Sequence, residues 1–295
     1  MKSQPHQPRR FGRDVIALGK PMITGASVAV TAGTFVLATA SVSASGVLLL
    51  FTLAGTSLVV LGACGLNMVI ERESDGRMAR TRNRPVASGR LSPRVAGAIA
   101  VIQSTAGLAL LLTAVNGLTA AIALAALVGY VAVYTPLKAH SRYASLVGTL
   151  PGAAPALMGS AAATGSLNAG AVGVFLVLVV WQLPHALAID LYRREDQKEA
   201  GVLSASTVLG EEPARLRAFA WTMVLFCASL SLVPLGVAGF VYFLIASLAG
   251  GCLVVLGVAG LEPQAGRAWA LLYKRASLAY LPLLSLGLVI DFWLR

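Results

Sequence analysis

The sequence predicts an all-α integral membrane protein, a bundle of nine transmembrane helices with its long polar loops on the cytoplasmic side. Three observations lead to this fold class. The chain is 57% hydrophobic and only 12% charged, with a mean hydropathy of +0.78, which is too apolar for a soluble chain of 295 residues. Apolar runs of about 20 residues, long enough to cross a bilayer, recur throughout. Basic residues cluster in alternate connections between these runs.

The predicted transmembrane helices are nine apolar runs separated by short polar connections. The runs cover residues 22–42, 46–66, 95–114, 118–135, 145–163, 170–190, 219–237, 239–261 and 276–293. In a nine-span arrangement, 22 of the 23 Lys and Arg residues fall on one side of the membrane. The positive-inside rule therefore predicts a cytoplasmic N-terminus and an external C-terminus.

The net charge of +11 comes from the same basic residues that set the membrane topology. It indicates contact with anionic lipid headgroups, and no aromatic and basic surface motif for nucleic acid accompanies it. The three cysteines lie in apolar runs without metal-type spacing, so we predict neither a disulfide framework nor a metal site from them. Residues 1–15 are expected to form a flexible basic tail, and residues 16–295 a single membrane domain.

The first candidate site lies where the second run ends. Asn67, Glu71 and Asp75 are spaced by four residues, and such a step drifts only about 40° around a helix. Three oxygen-bearing side chains therefore share one face, and Mg²⁺ binds proteins through such carboxylates together with substrate phosphates. The alternative is a solvated helix end whose acids pair with neighbouring arginines.

An arginine cluster follows directly. Guanidinium groups bind phosphates bidentately and stay charged, so a cluster beside a metal-binding face suits a diphosphate leaving group. The candidates are Arg72, Arg80, Arg82 and Arg84. Each of them has the alternative role of fixing the topology. Lys138, at the end of the fourth run, is either a phosphate ligand or an anchor at the membrane surface.

The end of the sixth run carries a second polar face. His185, Ile189, Tyr192 and Asp196 follow one another by steps of four, three and four residues and so lie on one side of a helix. Ionisable residues within a membrane are usually functional, although a lone histidine is often a packing residue. The periodicity favours Asp196 over Glu195 and Asp190 as a metal ligand.

Several segments together resemble a known family. The first loop reads Asn67-x-x-x-Glu71-Arg72-x-x-Asp75, then Arg80-Thr81-Arg82-x-Arg84-Pro85 and Gly89-Arg90-x-x-Pro93. Later segments read Tyr134-Thr135-Pro136-Leu137-Lys138, Trp181-Gln182-x-Pro184-His185 with Tyr192-Arg193 and Asp196, and Ser277-x-x-Tyr280-Leu281-Pro282. With Lys20-Pro21 and Asp291, they resemble the haem O synthases of the UbiA prenyltransferase superfamily over nearly the whole chain.

The resemblance implies an Mg²⁺-dependent membrane enzyme that transfers a farnesyl group from farnesyl diphosphate to a vinyl group of haem B (protohaem IX), giving haem O. It implies a metal and catalytic set made of Asn67, Glu71, Asp75 and Asp196, with Glu195 as a further metal ligand. It implies diphosphate contacts from Arg72, Arg80, Arg82, Arg84 and Lys138, and acceptor contacts from Tyr134, His185 and Tyr192. Membrane lipids and a haem A synthase or terminal oxidase assembly proteins are the implied partners.

The sequence departs from the family pattern mainly where the acceptor is expected. Ala186 and Leu187 replace an aromatic position, Ser160 replaces a tryptophan, and residues 202–207 replace a proline-rich stretch. Two alternatives therefore stay open. One is a related prenyltransferase with another acceptor, such as a quinone precursor or a specialised metabolite. The other is a non-catalytic membrane carrier or oxidase-assembly partner, against which the carboxylates in both loops argue.

Overall fold

A computed structural model describes residues 8–39, 45–138, 140–141, 143–199, 201 and 203–294. Within these ranges the regular structure is helical: fourteen α-helices and one π-helical turn. The helices are α1 (Pro8–Leu18), α2 (Pro21–Thr39), α3 (Gly46–Ile70), α4 (Arg72–Arg77), α5 (Pro93–Ala114), α6 (Gly117–Val128), α7 (Thr135–Leu137), α8 (Ala144–Thr164), α9 (Ala169–Tyr192), α10 (Arg194–Glu199), α11 (Ala205–Leu209), α12 (Glu211–Leu230), α13 (Phe240–Ala259) and α14 (Arg267–Leu294). The π-helical turn Gly129–Tyr134 joins α6 to α7.

Eight helical stretches among the described residues are long and apolar enough to cross a membrane. They are α2, α3, α5, the continuous stretch Gly117–Leu137, α8, α9, α13 and α14. The predicted all-α membrane bundle is confirmed, and the predicted count of nine is approximate. The remaining run, 219–237, falls largely in α12, which starts earlier with Glu211 and Glu212 in its first turn and is therefore less apolar.

The N-terminal segment differs from the flexible tail that the sequence predicts for residues 1–15. From Pro8 onward it forms α1, while residues 1–7 lie outside the described part of the chain. Leu18, at the end of α1, is buried against Met68 of α3 and Leu91 of the following loop. Asp14 also pairs with Arg90 at 3.0 Å, so α1 is fixed by both an apolar and an ionic contact.

Small residues bring the membrane helices close together, as is usual where lipid replaces water around a bundle. A Cβ on Gly62 of α3 would lie 2.6 Å from the carbonyl oxygen of Ala100 on α5. A Cβ on Gly159 of α8 would collide with the backbone of Thr31 on α2. These positions hold two tightly packed helix pairs in the N-terminal half.

The fold brings three chain segments to one end of the bundle. The end of α3, the end of the Gly117–Leu137 stretch and the end of α9 each carry polar residues there. Lys138 contacts Glu71 directly, and Arg80 and Arg193 lie close enough for mutual repulsion. The loops that follow α3 and α9 therefore meet on a common face.

Candidate functional site

The site is built first on the junction between α3 and α4. Asn67 lies in the last turn of α3, Glu71 stands between the helices, and Asp75 lies in α4. The backbone N–H of Glu71 donates to the Asn67 carbonyl at 2.9 Å, and that of Asp75 donates to the Glu71 carbonyl at 2.8 Å. The four-residue helical step therefore continues through the junction, and the structure keeps the three side chains on one face.

Each of these three side chains contacts a cation. Lys20 Nζ donates to Asn67 Oδ1 at 2.5 Å, and Lys138 Nζ lies 3.0 Å from Glu71 Oε1. Arg84 Nη1 lies 2.5 Å from Asp75 Oδ2 and 4.0 Å from Glu71 Oε2. One guanidinium therefore faces both carboxylates, and Asp75 itself is only 1% exposed. Oxygen ligands and cations alternate around one small region.

Lys20 is the member of this cluster that the predicted site set lacks. In the sequence, Lys20 is marked only by the Lys-Pro pair before the first span. Its contact with Asn67, 47 positions away, cannot be predicted from a sequence pattern. The backbone of Lys20 is left-handed, with φ of +47°, which is uncommon for a residue with a side chain. Burial lowers the pKa of Lys20 from its ordinary value, and the nearby guanidinium of Arg84 lowers it further.

The π-helical turn places the residues that follow the fourth run. Thr135 donates its hydroxyl to the Tyr130 carbonyl at 2.7 Å and accepts a hydrogen bond from Asn67 Nδ2 at 3.1 Å. Such turns insert an extra residue and are frequent at functional sites. Burial lowers the pKa of Lys138, but the charge and hydrogen bond of Glu71, together with Tyr134 and Asp75, outweigh burial and raise the pKa overall. Lys138 therefore stays protonated beside Glu71.

The predicted diphosphate arginines do not all reach this cluster. Arg84 is at its centre. Arg80 is exposed but near, and burial of part of its side chain together with the neighbouring Arg193 lowers its pKa. Arg82 is exposed, and Arg72 pairs with Glu73 at 3.0 Å on the solvent side. The structure thus brings Arg84 and Arg80 to the site and leaves Arg72 and Arg82 at the surface.

The arrangement of the second loop differs from the one that the sequence periodicity predicts. Asp190 lies near Lys138 and accepts a hydrogen bond from Gln197 Nε2 at 3.0 Å. Asp196 and Glu195 are exposed, and no described contact joins either of them to Asn67, Glu71 or Asp75. The reason is a break in the helix: α9 ends at Tyr192, and α10 begins after Arg193, whose φ is −108°. The face shared by His185 and Tyr192 therefore does not extend to Asp196.

His185 lies within α9 and contacts α14. Its ring stacks on Trp181 with centroids 4.8 Å apart, and its Nδ1 lies 2.8 Å from Ser277 Oγ. Ser277 Oγ donates its single hydrogen to the Lys274 carbonyl at 3.0 Å, so His185 Nδ1 is the donor in the first contact. Nε2 then keeps a lone pair that can accept a hydrogen bond or bind a metal.

The two tyrosines predicted to contact the acceptor lie in different surroundings. Tyr192 contacts two cations through its ring, with Arg267 4.9 Å and Lys274 4.5 Å from the ring centroid. Tyr134 stacks on Tyr130 with centroids 5.5 Å apart and packs closely against Gly148. Tyr192 therefore belongs with His185 and α14, whereas Tyr134 borders the Glu71 cluster.

The donor set at the α3–α4 junction fits Mg²⁺ bound together with a diphosphate. Among the residues that the structure describes, no three His, Cys, Asp or Glu side chains converge as an all-protein metal cage. Two carboxylates facing one guanidinium, with an amide oxygen beside them, are instead hard oxygen ligands of the kind Mg²⁺ uses with substrate phosphates. Lys20, Lys138 and Arg84 supply positive charge at the same place.

Known proteins are similar to this chain in sequence and in fold. A model of the UbiA prenyltransferase family matches residues 26–280. The protoheme IX farnesyltransferase of Anaeromyxobacter dehalogenans is 40% identical over 97% of this chain and 96% of its own. That of Myxococcus xanthus is 38% identical over 94% of each chain.

Solved structures with low sequence identity have the same fold. A digeranylgeranylglyceryl phosphate synthase superposes with a TM-score of 0.80 at 15% identity, over 95% of this chain and 98% of the other. A UbiA homologue from Archaeoglobus fulgidus, bound to GPP and Mg²⁺, superposes with a TM-score of 0.61 at 12% identity, over 94% and 99%. Taken with the family match over most of its length, these relationships show that the chain belongs to the UbiA prenyltransferase family.

Proposed function

We propose that this protein transfers a farnesyl group from farnesyl diphosphate to a vinyl group of protohaem IX, giving haem O. The observation that carries the proposal is the convergence of Asn67, Glu71 and Asp75 with three cations at one end of the bundle. The acceptor is supported by the full-length relatives, which are protoheme IX farnesyltransferases.

The residues suit departure of a diphosphate. Asn67, Glu71 and Asp75 would hold Mg²⁺, which when bound neutralises negative charge on the diphosphate oxygens. Lys20, Lys138 and Arg84 stabilise the charge that develops on the leaving oxygen as the farnesyl carbon–oxygen bond breaks. The vinyl group of the acceptor then supplies the electrons for the new carbon–carbon bond to the farnesyl carbon, and diphosphate is the leaving group. A water molecule adds to the carbocation left on the former vinyl carbon and loses a proton, which gives the hydroxyl group of haem O.

We assign the remaining predicted residues to supporting roles in the same reaction. Asp196 and Glu195 would serve as further ligands of the metal from the second loop. Arg80, Arg82 and Arg72 contribute to the positive field that attracts the diphosphate to the surface.

The acceptor side is formed by α9 and the π-helical turn. His185 Nε2 contacts the haem, since its Nδ1 is engaged by Ser277 and Nε2 is left as the accepting atom. Tyr192 and Tyr134 border the porphyrin at the two sides of the site.

In the membrane, residues 16–295 form the catalytic domain with a cytoplasmic N-terminus and an external C-terminus. This orientation puts the arginine-rich loops in the compartment that the positive-inside rule requires. The protein lies among membrane lipids, and its product passes to a haem A synthase or to terminal oxidase assembly.

The test is extraction of haems from membranes that contain the protein, followed by mass analysis. We expect haem O with the native chain and none with the double variant Glu71→Gln, Asp75→Asn. The matched control is Glu73→Gln, because Glu73 is exposed on the same helix and pairs only with Arg72 among the described residues. Absence of haem O from a native chain that binds farnesyl diphosphate with Mg²⁺ would refute the haem acceptor and indicate a different one.

A further inference from the structure

A second charged region lies outside the α3–α4 junction. The cytoplasmic ends of α9, α12 and α14 enclose a cavity whose lining includes Tyr192, Arg215, Arg267 and the apolar side chain of Trp269. The diphosphate chemistry described above uses none of the basic residues in this lining. Basic residues at this position, next to the proposed acceptor residue Tyr192, therefore indicate that the cavity binds a second ligand.

Arg215 is the most unusual member of the lining. It is only 7% exposed, its Nη1 donates to the Ala265 carbonyl, and its Nε has no hydrogen-bond acceptor among the described residues. No carboxylate in the described part of the chain lies within ion-pair distance of it. A buried guanidinium without an anion is unfavourable, so this arginine indicates an anionic ligand that completes its surroundings.

Two more cations on α14 extend this surface. Arg267 and Lys274 both lie over the Tyr192 ring, and the described residues offer neither of them an ion pair. The acids at the cavity do not neutralise them. Glu195 and Glu211 both pair with Arg194, at 3.2 Å and 3.1 Å, and Asp196 is exposed to solvent at the rim.

Tyr192 and Lys274 relate the cavity to the proposed acceptor contact at His185. Tyr192 follows His185 by two helical turns on the same face, which is about 10.5 Å along α9. Lys274 lies near His185, and its carbonyl accepts the hydrogen bond of the serine that holds the His185 ring. This separation is of the same order as that between the centre of a porphyrin ring and its propionate carboxylates.

We propose that Arg215, Arg267 and Lys274 form a carboxylate-binding subsite that holds the propionate groups of the porphyrin acceptor. This inference rests on the proposed function, because it requires a dicarboxylate porphyrin at His185. Propionates held at the ends of α12 and α14 fix the orientation of the ring. The vinyl edge, which lies away from the propionates, then points toward the donor.

The experiment compares protohaem IX with its dimethyl ester, in which both carboxylates are masked. Dissociation constants come from the Soret absorption of protein in nanodiscs of phosphatidylcholine. The test variant is Arg267→Gln, Lys274→Gln, and the control is Arg275→Gln, which changes the charge of an exposed neighbour on the same helix. Farnesyl diphosphate binding with Mg²⁺ verifies that each variant is folded.

We expect the native chain and the control to bind protohaem about tenfold or more tightly than the ester, as charge-assisted hydrogen bonds predict. The double variant should bind both porphyrins with the affinity that the native chain has for the ester. Native protein that converts protohaem but does not discriminate between the two porphyrins would overturn the subsite alone. Native protein that binds neither porphyrin would overturn the proposed function as well.

A third set of titrations distinguishes propionates from lipid headgroups, because both are anions that these cations could bind. The same titrations are repeated in nanodiscs that contain anionic phosphatidylglycerol. A defect of the double variant that appears only with the anionic lipid, and equally for both porphyrins, would assign these cations to headgroups and refute the proposal. A defect that depends on the free carboxylates in both lipid compositions would confirm it.

Discussion

Replacing Arg84 by glutamine tests the charge balance of the site most directly. Arg84 is the described ion-pair partner of Asp75, which is 1% exposed, and it also faces Glu71 at 4.0 Å. Removing one partner of a buried ion pair leaves an uncompensated charge, which typically lowers the free energy of unfolding by about 3–5 kcal/mol. We therefore expect Arg84→Gln to lower the thermal unfolding midpoint by several degrees without Mg²⁺.

The same substitution should change the response to metal. Two carboxylates freed from their guanidinium bind Mg²⁺ more tightly, and a ligand present at a hundred times its dissociation constant stabilises a protein by about 2.7 kcal/mol. Much of the lost stability should therefore return with Mg²⁺. Affinity for farnesyl diphosphate should nevertheless fall by about tenfold or more, because a charge-assisted contact to phosphate is lost.

The assay is scanning fluorimetry of purified protein at increasing Mg²⁺ concentrations, combined with calorimetric titration of farnesyl diphosphate. Arg82→Gln is the control, since Arg82 is two positions away and exposed. It should leave the unfolding midpoint and its Mg²⁺ dependence unchanged. Equal destabilisation of Arg84→Gln with and without Mg²⁺, or no destabilisation, would show that Asp75 and Glu71 do not form the metal site.

Four further variants have distinct expected results. Lys20→Met should weaken farnesyl diphosphate binding about tenfold in calorimetry, because it removes one phosphate cation; unchanged binding would exclude Lys20 from the site. Asp196→Asn should leave the unfolding midpoint of the free protein unchanged, since the side chain is exposed, but weaken Mg²⁺-dependent farnesyl diphosphate binding; unchanged affinity would exclude it as a ligand. His185→Gln should weaken protohaem binding in Soret titrations and leave farnesyl diphosphate binding intact, whereas loss of both would indicate a packing role. Asp291→Ala should lower the free energy of unfolding by about 3 kcal/mol or more, because this carboxylate accepts hydrogen bonds from three backbone N–H groups at the start of α13. An unaltered unfolding midpoint would contradict this prediction.

The sequence predicts well those features that depend on a single continuous helix. The face formed by Asn67, Glu71 and Asp75 is present because the helical step continues across the α3–α4 junction. The membrane-spanning fold follows from apolar run length, which the bilayer itself dictates. The position of Asp196 relative to the His185 face could not be predicted from the sequence, because the change of direction at Arg193 leaves no periodic signal.

Features that depend on tertiary contact were not predictable from patterns. The approach of Lys20 to Asn67 joins two distant segments, and it depends on an uncommon backbone conformation. The π-helical turn before Thr135 has no composition that distinguishes it from ordinary helix. The start of α12 carries charges in its first turn, so its apolar run alone misplaces the helix.

The pairing of each oxygen-bearing side chain of the site with a cation has a thermodynamic consequence. If Glu71 and Asp75 hold the metal as proposed, they release Lys138 and Arg84, and those cations then lack a counter-charge until phosphate arrives. Metal alone would leave the cations unmatched and diphosphate alone would leave the carboxylates unmatched, whereas the two together match both. We therefore expect cooperative binding, in which by linkage each ligand raises the affinity for the other by the same factor. On this expectation the site binds the complete metal–diphosphate pair in preference to either ligand alone.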